Sequence, residues 1–179
     1  MNLESDTFRI RNATAQDAKI LCQWWNDGQI MAHAGFPNGL GITESEIAAS
    51  LKKDNDLQRR LVIELDNEPI GEMNYRTPEE KIAEIGIKIC EASQQNQGYG
   101  TKYLKMLLTH LFMSMDYDKI KLDTNLNNDR AQHVYERLGF RKVSTNIDSW
   151  KDQLGEFQSS VDFEMTKAEY GNLYGNEGL

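Results

Sequence analysis

A glycine-containing turn near the middle of the chain has residue types suited to holding a phosphate group. The hexapeptide at 95–100, Gln-Asn-Gln-Gly-Tyr-Gly, joins a segment with strand-like alternation to one with helical spacing. Free backbone N–H groups at a helix N-terminus bind anions, and Gly98 and Gly100 lack the side chains that would keep an anion away. The same six residues are equally typical of a strand-to-helix turn without a ligand, so the turn alone does not separate the two interpretations.

A dinucleotide-binding fold needs a different glycine pattern. Its G-x-G-x-x-G motif follows the first strand of a βαβ unit. Here Tyr103 stands at the third glycine position, and three predicted strands come before the strand that leads into the turn. The pattern therefore disfavours a nucleotide-binding oxidoreductase.

A second cluster of candidate residues begins at Asn128. Ala131 and Tyr135 follow it four residues apart, and Gly139 and Phe140 come next. On a helix this spacing puts Ala131 and Tyr135 on one face, with Asn128 at the start. Tyr135 also falls in an apolar helical stripe, so a tyrosine that only packs in the core is the alternative interpretation.

Hydrophobic periodicity and turn residues predict the elements that must position these two clusters. Helices are predicted from a cap at Thr14, from a capping box at 43–46 to about 53, at about 98–114 and at 129–138, with a loop at 26–41. Strands are predicted at 8–11, 61–65, 69–75, 82–90, 119–123, 140–144 and 161–166. This order predicts an α+β fold with a mixed, mostly antiparallel central sheet flanked by helices on both faces.

Composition narrows the class of protein. The 179 residues include 20 Lys+Arg and 28 Asp+Glu, giving a net charge of −8, which disfavours nucleic-acid binding. The chain has no apolar run of membrane-spanning length and no signal-peptide pattern at its start. Cys22 and Cys90 suggest no disulfide framework, and no histidine has a second ligand at metal-binding spacing, so no metal is expected. We expect a cytoplasmic protein with one domain over 1–179.

The turn and the Asn128 cluster together resemble the GNAT superfamily of acetyl-CoA-dependent N-acetyltransferases. The superfamily signature Q/R-x-x-G-x-G/A matches Gln95, Gly98 and Gly100. Its downstream N-x-x-A…Y-x-x-x-G-F segment matches residues 128–140. The element order matches over about 8–166, and the tryptophan-bearing first helix and the close of the chain resemble the RimJ/RimL-type branch. The resemblance implies an N-acetyltransferase domain over 8–170.

The resemblance also implies where acetyl-CoA would bind. Its pyrophosphate would lie on the backbone N–H groups of the turn, its pantetheine arm along the strand at 87–90, and Asn128 would hold the arm's polar groups. The implied cofactor-binding residues are Ile87, Lys88, Ile89, Cys90, Gln95, Gln97, Gly98, Tyr99, Gly100, Thr101, Lys102, Asn128 and Ala131. Gln97 stands where the family often has a basic residue, which leaves Lys102 as either a charge partner or a solvated lysine.

Acetyl transfer to an amine is helped by a general base, because an alkylamine is mostly protonated at pH 7. The sequence leaves open whether Glu84, Glu72 or water takes this role. Glu84 matches the strand carboxylate that serves as base in histone-acetyltransferase relatives; its alternative is a surface glutamate, and Glu72 is the other candidate carboxylate. The resemblance implies that Tyr135 protonates the departing coenzyme A thiolate. A backbone N–H near Ile89 would polarise the acetyl carbonyl.

The acceptor is expected to be a primary amine, either a small cationic amine or a protein N-terminus. Trp24, His33 and Glu72 are candidate substrate contacts. The segments expected to line the substrate end carry Asp27, Glu44, Glu46, Asp148, Asp152 and Glu156, against Lys151 as their one basic residue. The competing function is a catalytically idle acyl-CoA-binding module, and the sequence leaves open whether the protein forms a homodimer.

Overall fold

The computed structural model describes residues 1–175. Six α-helices are α1 Ala18–Asn26, α2 Gly28–Met31, α3 Glu44–Leu51, α4 Tyr99–Thr109, α5 Asp129–Arg137 and α6 Lys167–Tyr174. Eight strands are β1 Asn2–Ser5, β2 Phe8–Asn12, β3 Gln58–Leu65, β4 Glu68–Glu79, β5 Ile82–Ile89, β6 Lys119–Asn125, β7 Arg141–Lys151 and β8 Phe157–Thr166. One-turn 3₁₀ helices precede α1, follow α2 and follow β5, and a π-helical turn, His110–Ser114, extends α4.

All eight strands form one sheet in the order β1-β2-β3-β4-β5-β6-β8-β7. Neighbouring strands are antiparallel except for β5 and β6, which pair in parallel across α4. The last strand, β8, inserts between β6 and β7. The predicted α+β class with a mixed, mostly antiparallel sheet is confirmed.

Helices cover both faces of this sheet, as predicted. The larger apolar cluster lies between the sheet and α4, α5 and α6, with Tyr103, Leu107 and Phe163 fully buried. A smaller cluster joins α1 and α3 to the opposite face and includes Leu21 and Ile47. These layers fix the N-terminal ends of α4 and α5 beside the middle of the sheet, where both sequence motifs lie.

Local residue chemistry explains where several elements begin and end. Asp66 and Asn67 both have positive φ angles, 51° and 67°, as the two-residue turn of a twisted hairpin requires. Gly139 follows α5 with φ 95°, the left-handed conformation that commonly ends a helix. The predictions of the hairpin turn at 66–67 and of the helix stop at Gly139 are confirmed.

The structure differs from the predicted elements in four places, the last of which is helix α6. Strand β1 was not predicted, because its residues are nearly all polar. The predicted loop at 26–41 contains α2, a single turn capped by the Asp27 carboxylate, which accepts N–H groups of Gln29 and Ile30. The predicted polar connection at 145–160 is mostly strand. Here β7 and β8 extend as a largely exposed hairpin, so its few apolar residues, such as Ile147 and Phe157, do not mark a buried face.

Helix α6 was also not predicted. Thr166 and Glu169 form a capping box at its start, a pattern visible in the sequence. Within residues 1–175, no helix combines the length and apolar character that crossing a membrane requires.

Candidate active site

A cleft opens where β5 and β6 stop pairing. The two strands are joined only from Ile82↔Lys119 to Glu84↔Lys121, whereas β6 stays paired with β8 along its whole length. Past the last pair, the gap between β5 and β6 forms a cleft of about 740 Å³. The predicted site residues that line it are His33, Ile87, Lys88, Ile89, Gln95, Gly100, Asn128, Ala131 and Tyr135.

The turn before α4 presents free backbone donors at the mouth of this cleft. Within residues 1–175, the N–H groups of residues 96–100 have no hydrogen-bond acceptor, and the Thr101 N–H donates to the Gly98 carbonyl at 3.2 Å. Gly98 has φ 78°. A Cβ atom would meet nothing within 4 Å at Gly98 and only the Ile87 Cδ1 atom, at 3.9 Å, at Gly100. This set of unpaired donors beside open space fits a phosphate group.

The free edge of β5 continues from the turn into the sheet. Strand β5 remains paired with β4 as far as Gly71↔Ile89, but beyond Glu84 its other edge has no β6 partner. An extended ligand can therefore pair with this edge as an added strand. Asn128 lies across the cleft, where its Oδ1 atom accepts the Ala131 N–H at 3.2 Å. Its amide Nδ2 has no acceptor among the described residues, so it is available to a ligand. Together these groups fit the extended polar arm of acetyl-CoA.

Other predicted cofactor residues lie beside the cleft or away from it. The Gln95 side chain donates to the Ile89 carbonyl at 3.0 Å and braces the turn against β5. The Lys102 ammonium lies 4.3 Å from the centroid of the Phe8 ring. Gln97 belongs to the turn, and Tyr99 and Thr101 lie in the first turn of α4. The structure does not bring Cys90 to the cleft: it is 4% exposed in the smaller apolar cluster, and burial raises the pKa of its thiol.

Tyr135 reaches the cleft from α5 with its ring packed in the larger core. The ring makes edge contacts with Phe163, at 5.6 Å between centroids, and with Phe140, at 6.2 Å. The residue is 7% exposed, yet no described protein group hydrogen-bonds its hydroxyl. Burial, together with the charge of Asp123, raises the pKa of Tyr135 to about 12. The side chain is therefore a fixed, protonated phenol aimed into the cleft.

One face of the sheet carries polar side chains beside the cleft. Cross-strand partners share a face, so the register places Glu72, Asn74, Gly86, Asp123 and Asp162 on this polar face. Near its α1 end, both oxygens of Glu72 accept the Trp25 indole N–H at 2.9 Å.

Of the three predicted substrate contacts, the structure brings only His33 to the cleft. It lies on the 3₁₀ turn after α2. Glu72 lies near the cleft on the polar face, where Lys88 approaches it at 3.6 Å. Trp24 lies in the smaller core at 3% exposure and donates to Glu91.

Glu84 lies on the polar face but outside the main cleft. Its carboxylate forms an ion pair with Arg76, whose Nε atom donates at 2.6 Å. Both residues line a smaller cavity of about 410 Å³ on that face. Glu84 is thus held by a cation away from Tyr135, and its role as a base stays a prediction.

We expect Glu84→Gln to change turnover by less than about fivefold, because it removes an exposed ion pair of the kind that contributes roughly 0–1 kcal/mol. Steady-state rates between pH 6 and 10 check this. A turnover loss that is large at low pH and disappears near pH 10 would instead assign the base to Glu84.

Two residues that the sequence interpretation missed also line the cleft. Asp123 extends from β6 with an exposed side chain, and partial desolvation by the cleft walls, helped by the charges of Asp162 and Glu84, raises its pKa. The one sequence signal for Asp123 was a carboxylate ending the predicted strand before the Asn128 motif. Trp150, near the tip of the β7–β8 hairpin, closes the other side of the cleft.

The hairpin tip is docked on the loop after α2. Trp150 covers Gly35, where a Cβ atom would lie 2.4 Å from the indole. Gln153 donates its backbone N–H to the Gly35 carbonyl and bonds through its side chain to Asn38 and Gly39. These contacts hold the α2 and β7–β8 walls of the cleft together, although the two segments are far apart in the sequence.

The mixed sheet opens between its two parallel strands, with a helix N-terminus and a buried tyrosine at the opening, an arrangement that fits the acetyl-CoA site expected from the sequence. The GNAT acetyltransferase domain model matches residues 7–141. The chain therefore belongs to the GNAT acetyltransferase family.

Individual relatives and solved structures agree with this family. An aminoglycoside N(6')-acetyltransferase type 1 from Klebsiella pneumoniae is 26% identical over 180 residues, covering 92% of this chain and 89% of the relative. A spermidine N-acetyltransferase from Vibrio cholerae, solved with CoA and spermine, superposes with TM-score 0.83 at 20% identity over 93% of this chain and 99% of that chain.

The RimL ribosomal L7/L12 alpha-N-protein acetyltransferase, solved with coenzyme A, superposes with TM-score 0.82 at 18% identity, over 93% of this chain and 98% of that chain. Identities this low show a shared fold, and the fold is consistent with the RimJ/RimL-like branch.

Proposed function

We propose that this protein transfers the acetyl group of acetyl-CoA directly to a primary amine that is cationic at neutral pH. The observation that carries the proposal is the Tyr135 hydroxyl, which lies in a nearly buried position at the opening between β5 and β6 without a protein partner. A phenol held there can protonate the thiolate that departs when the acetyl group moves to nitrogen. The donor turn at 96–100 and Asn128 supply the contacts expected for the rest of acetyl-CoA.

The amine and the thioester would reach the reaction centre from opposite faces of the sheet. The donor turn and α5 lie on the face of the larger core, whereas Asp123 and Gly86 lie on the polar face. Because β5 and β6 have separated here, an amine on the polar face has a direct path to a carbonyl carbon held at the β5 edge. This arrangement supports direct transfer in a ternary complex rather than through a covalent enzyme intermediate.

The acceptor class follows from charges on the polar face rather than from the acidic segments identified in the sequence. Three of those segment carboxylates are engaged in local turns or caps: Asp27, Glu46 and Asp152. Asp123 and Asp162, in contrast, face the gap with no described cation bonded to either. A small polycation or a basic protein N-terminus complements them, in keeping with relatives named for aminoglycosides, spermidine and a ribosomal protein.

A panel of amines tests the proposal through release of the CoA thiol. The panel contains kanamycin, spermidine, a peptide with a free N-terminus, a neutral amine and an amino-sugar phosphate, each with acetyl-CoA. We expect turnover with at least one cationic acceptor and acetylation of its amine by mass spectrometry. Tight acetyl-CoA binding by calorimetry, with no thiol release from any amine, would support the idle acyl-CoA-binding module instead.

Salt dependence separates electrostatic steering from specific contacts. Since the net charge is −8, we expect kcat/KM for spermidine to fall by roughly tenfold as the Debye length shortens from about 30 Å to about 8 Å. The value for the neutral amine should stay constant over the same range. A preference for the amino-sugar phosphate would contradict the cationic acceptor class.

A further inference from the structure

Asp123 occupies the point where the sheet opens. It lies two residues beyond Lys121, and Gly86 lies two residues beyond Glu84, the last residues that join β5 and β6. Gly86 contributes no side chain to the gap, and a Cβ atom there would come within 2.9 Å of the Asn74 amide. Asp123 also lines both the main cleft and the smaller cavity on the polar face. A molecule bound on that face therefore meets Asp123 as it enters the main cleft.

Neighbouring carboxylates on the polar face are already engaged. Glu84 pairs with Arg76, and Glu164 pairs with Lys119 and Arg141. Asp162 accepts hydrogen bonds from Ser144 and from the Asn146 amide at 2.9 Å. Among residues 1–175, no side chain forms an ion pair or a hydrogen bond with the Asp123 carboxylate. Of these carboxylates, Asp123 is thus the one without any side-chain partner, and it remains open to a cationic ligand.

The Tyr135 hydroxyl points independently to a ligand at the same place. It is a polar group on a residue 7% exposed, and no described group hydrogen-bonds to it. The hydroxyl oxygen itself reaches the surface of the cleft, because every fully buried side-chain nitrogen or oxygen of the described residues has a hydrogen-bond partner. Asp123 and Tyr135 interact electrostatically across the cleft. The two side chains therefore border one space, with an open carboxylate on the polar-face side and a proton donor on the core side.

We propose that Asp123 binds the acceptor's reacting ammonium group and takes its proton. This inference rests on the proposed function and assigns the base within it. Asp123 removes one proton from the ammonium, and the freed nitrogen lone pair forms the C–N bond at the thioester carbonyl carbon. The tetrahedral intermediate then breaks its C–S bond. The Tyr135 hydroxyl protonates the departing sulfur. The nitrogen then gives its second proton to the Tyr135 phenolate, which becomes a phenol again. Asp123 finally releases the proton that it took to water.

The charges around Asp123 suit a proton acceptor. From β8 it faces Asp162, from β5 Glu84 and from β4 Arg76. Desolvation and the two carboxylates raise its pKa by more than the arginine and a backbone hydrogen bond lower it. The remaining charged or titratable groups that line the two cavities are His33, Lys88, Lys121, Arg130 and Glu164, besides Tyr135. As the pH falls through the raised pKa, Asp123 becomes protonated and activity should fall.

Asp123→Asn keeps the side-chain shape and removes the base, so it tests the inference in the full chain. With spermidine and kanamycin as acceptors, we expect kcat/KM at pH 7 to drop roughly 100-fold. The pH profile should also change in shape. In the unsubstituted protein, kcat/KM levels off above the pKa of Asp123. In the variant it should keep rising with pH toward the amine pKa near 10, because only the free amine then reacts.

Asp56→Asn is the matched control, since it removes the same charge from a side chain 95% exposed beside Arg59 and away from the cleft. Acetyl-CoA affinity and thermal unfolding verify that both variants fold. Calorimetry of spermidine binding in the presence of CoA gives a readout besides activity, and we expect at least about tenfold weaker binding in Asp123→Asn.

Unchanged kcat/KM or unchanged spermidine affinity in a folded Asp123→Asn protein would overturn the inference. So would a loss of equal size at every pH, because it would show binding without proton uptake. These outcomes are distinguishable from a failure of the proposed function. In that case the unsubstituted protein acetylates no amine, and the role of Asp123 as base is wrong as well.

Discussion

Tyr135→Phe is expected to lower turnover by roughly 10²–10⁴-fold while leaving acetyl-CoA affinity nearly unchanged. The phenylalanine ring retains the edge contacts with Phe140 and Phe163. The lost hydroxyl has no described hydrogen-bond partner in the protein, so the free energy of unfolding should not fall. Stopped-flow or steady-state thiol release, with calorimetry for acetyl-CoA, measures the two quantities separately.

Tyr103→Phe supplies the matched control because the Tyr103 hydroxyl is engaged elsewhere. It donates to the Glu64 carbonyl at 2.7 Å in the fully buried core. Removal of this hydroxyl should lower the free energy of unfolding by about 1 kcal/mol and leave turnover unchanged. Tyr135→Phe should thus lose turnover and keep its stability, whereas Tyr103→Phe should lose stability and keep its turnover. Full turnover in Tyr135→Phe would show that Tyr135 serves only in packing.

The raised pKa of Tyr135 has a consequence for pH dependence. A phenol is a proton donor only below its pKa, and burial puts that pKa at about 12. Tyr135 therefore stays protonated across the whole usable assay range. We expect no alkaline loss of activity from this residue below pH 10, and a fall in kcat near pH 8–9 that disappears in Tyr135→Phe would contradict this assignment.

The sequence predicted the parts of the site that are local in the chain. The turn at 95–100 and the helix carrying Asn128, Ala131 and Tyr135 each depend on short-range spacing, glycine conformation and helix capping. Strand alternation also predicted correctly that Glu84, Gly86 and Lys88 share one face. For these features a few neighbouring residues determine the backbone, so a sequence pattern is sufficient.

The acceptor side depends on pairings between distant segments. Asp123 and Asp162 are neighbours only because β8 inserts between β6 and β7, an order that no local pattern encodes. The ion pair between Glu84 and Arg76 depends on the β4–β5 register in the same way. The outer part of the β7–β8 hairpin has no buried apolar face, so its extent, and with it the position of Trp150, was not visible as strand periodicity.

Gly100→Val is expected to weaken acetyl-CoA binding at least about tenfold, equivalent to 1.4 kcal/mol, without unfolding the protein. A Cβ atom at this position would meet only the Ile87 Cδ1 atom, at 3.9 Å, and valine is no worse than glycine in a helix. The branched methyl groups would instead occupy the open space in front of the N–H groups of residues 96–100. Calorimetry with acetyl-CoA, together with a thermal unfolding curve, measures affinity and fold.

Gly100 is a better position for this test than Gly98. Gly98 has a φ angle of 78°, and any side chain at that angle would strain the backbone. Gly171→Val in α6 is the matched control, because a Cβ atom there meets nothing within 4 Å and none of the residues that line the cleft belongs to this helix. S-acetylpantetheine, which lacks the pyrophosphate, should be used equally well by Gly100→Val and the unsubstituted protein. An equal loss of activity with both thioesters would show that the valine disturbs the binding of the pantetheine arm. Unchanged acetyl-CoA affinity would contradict the assignment of the pyrophosphate to this turn.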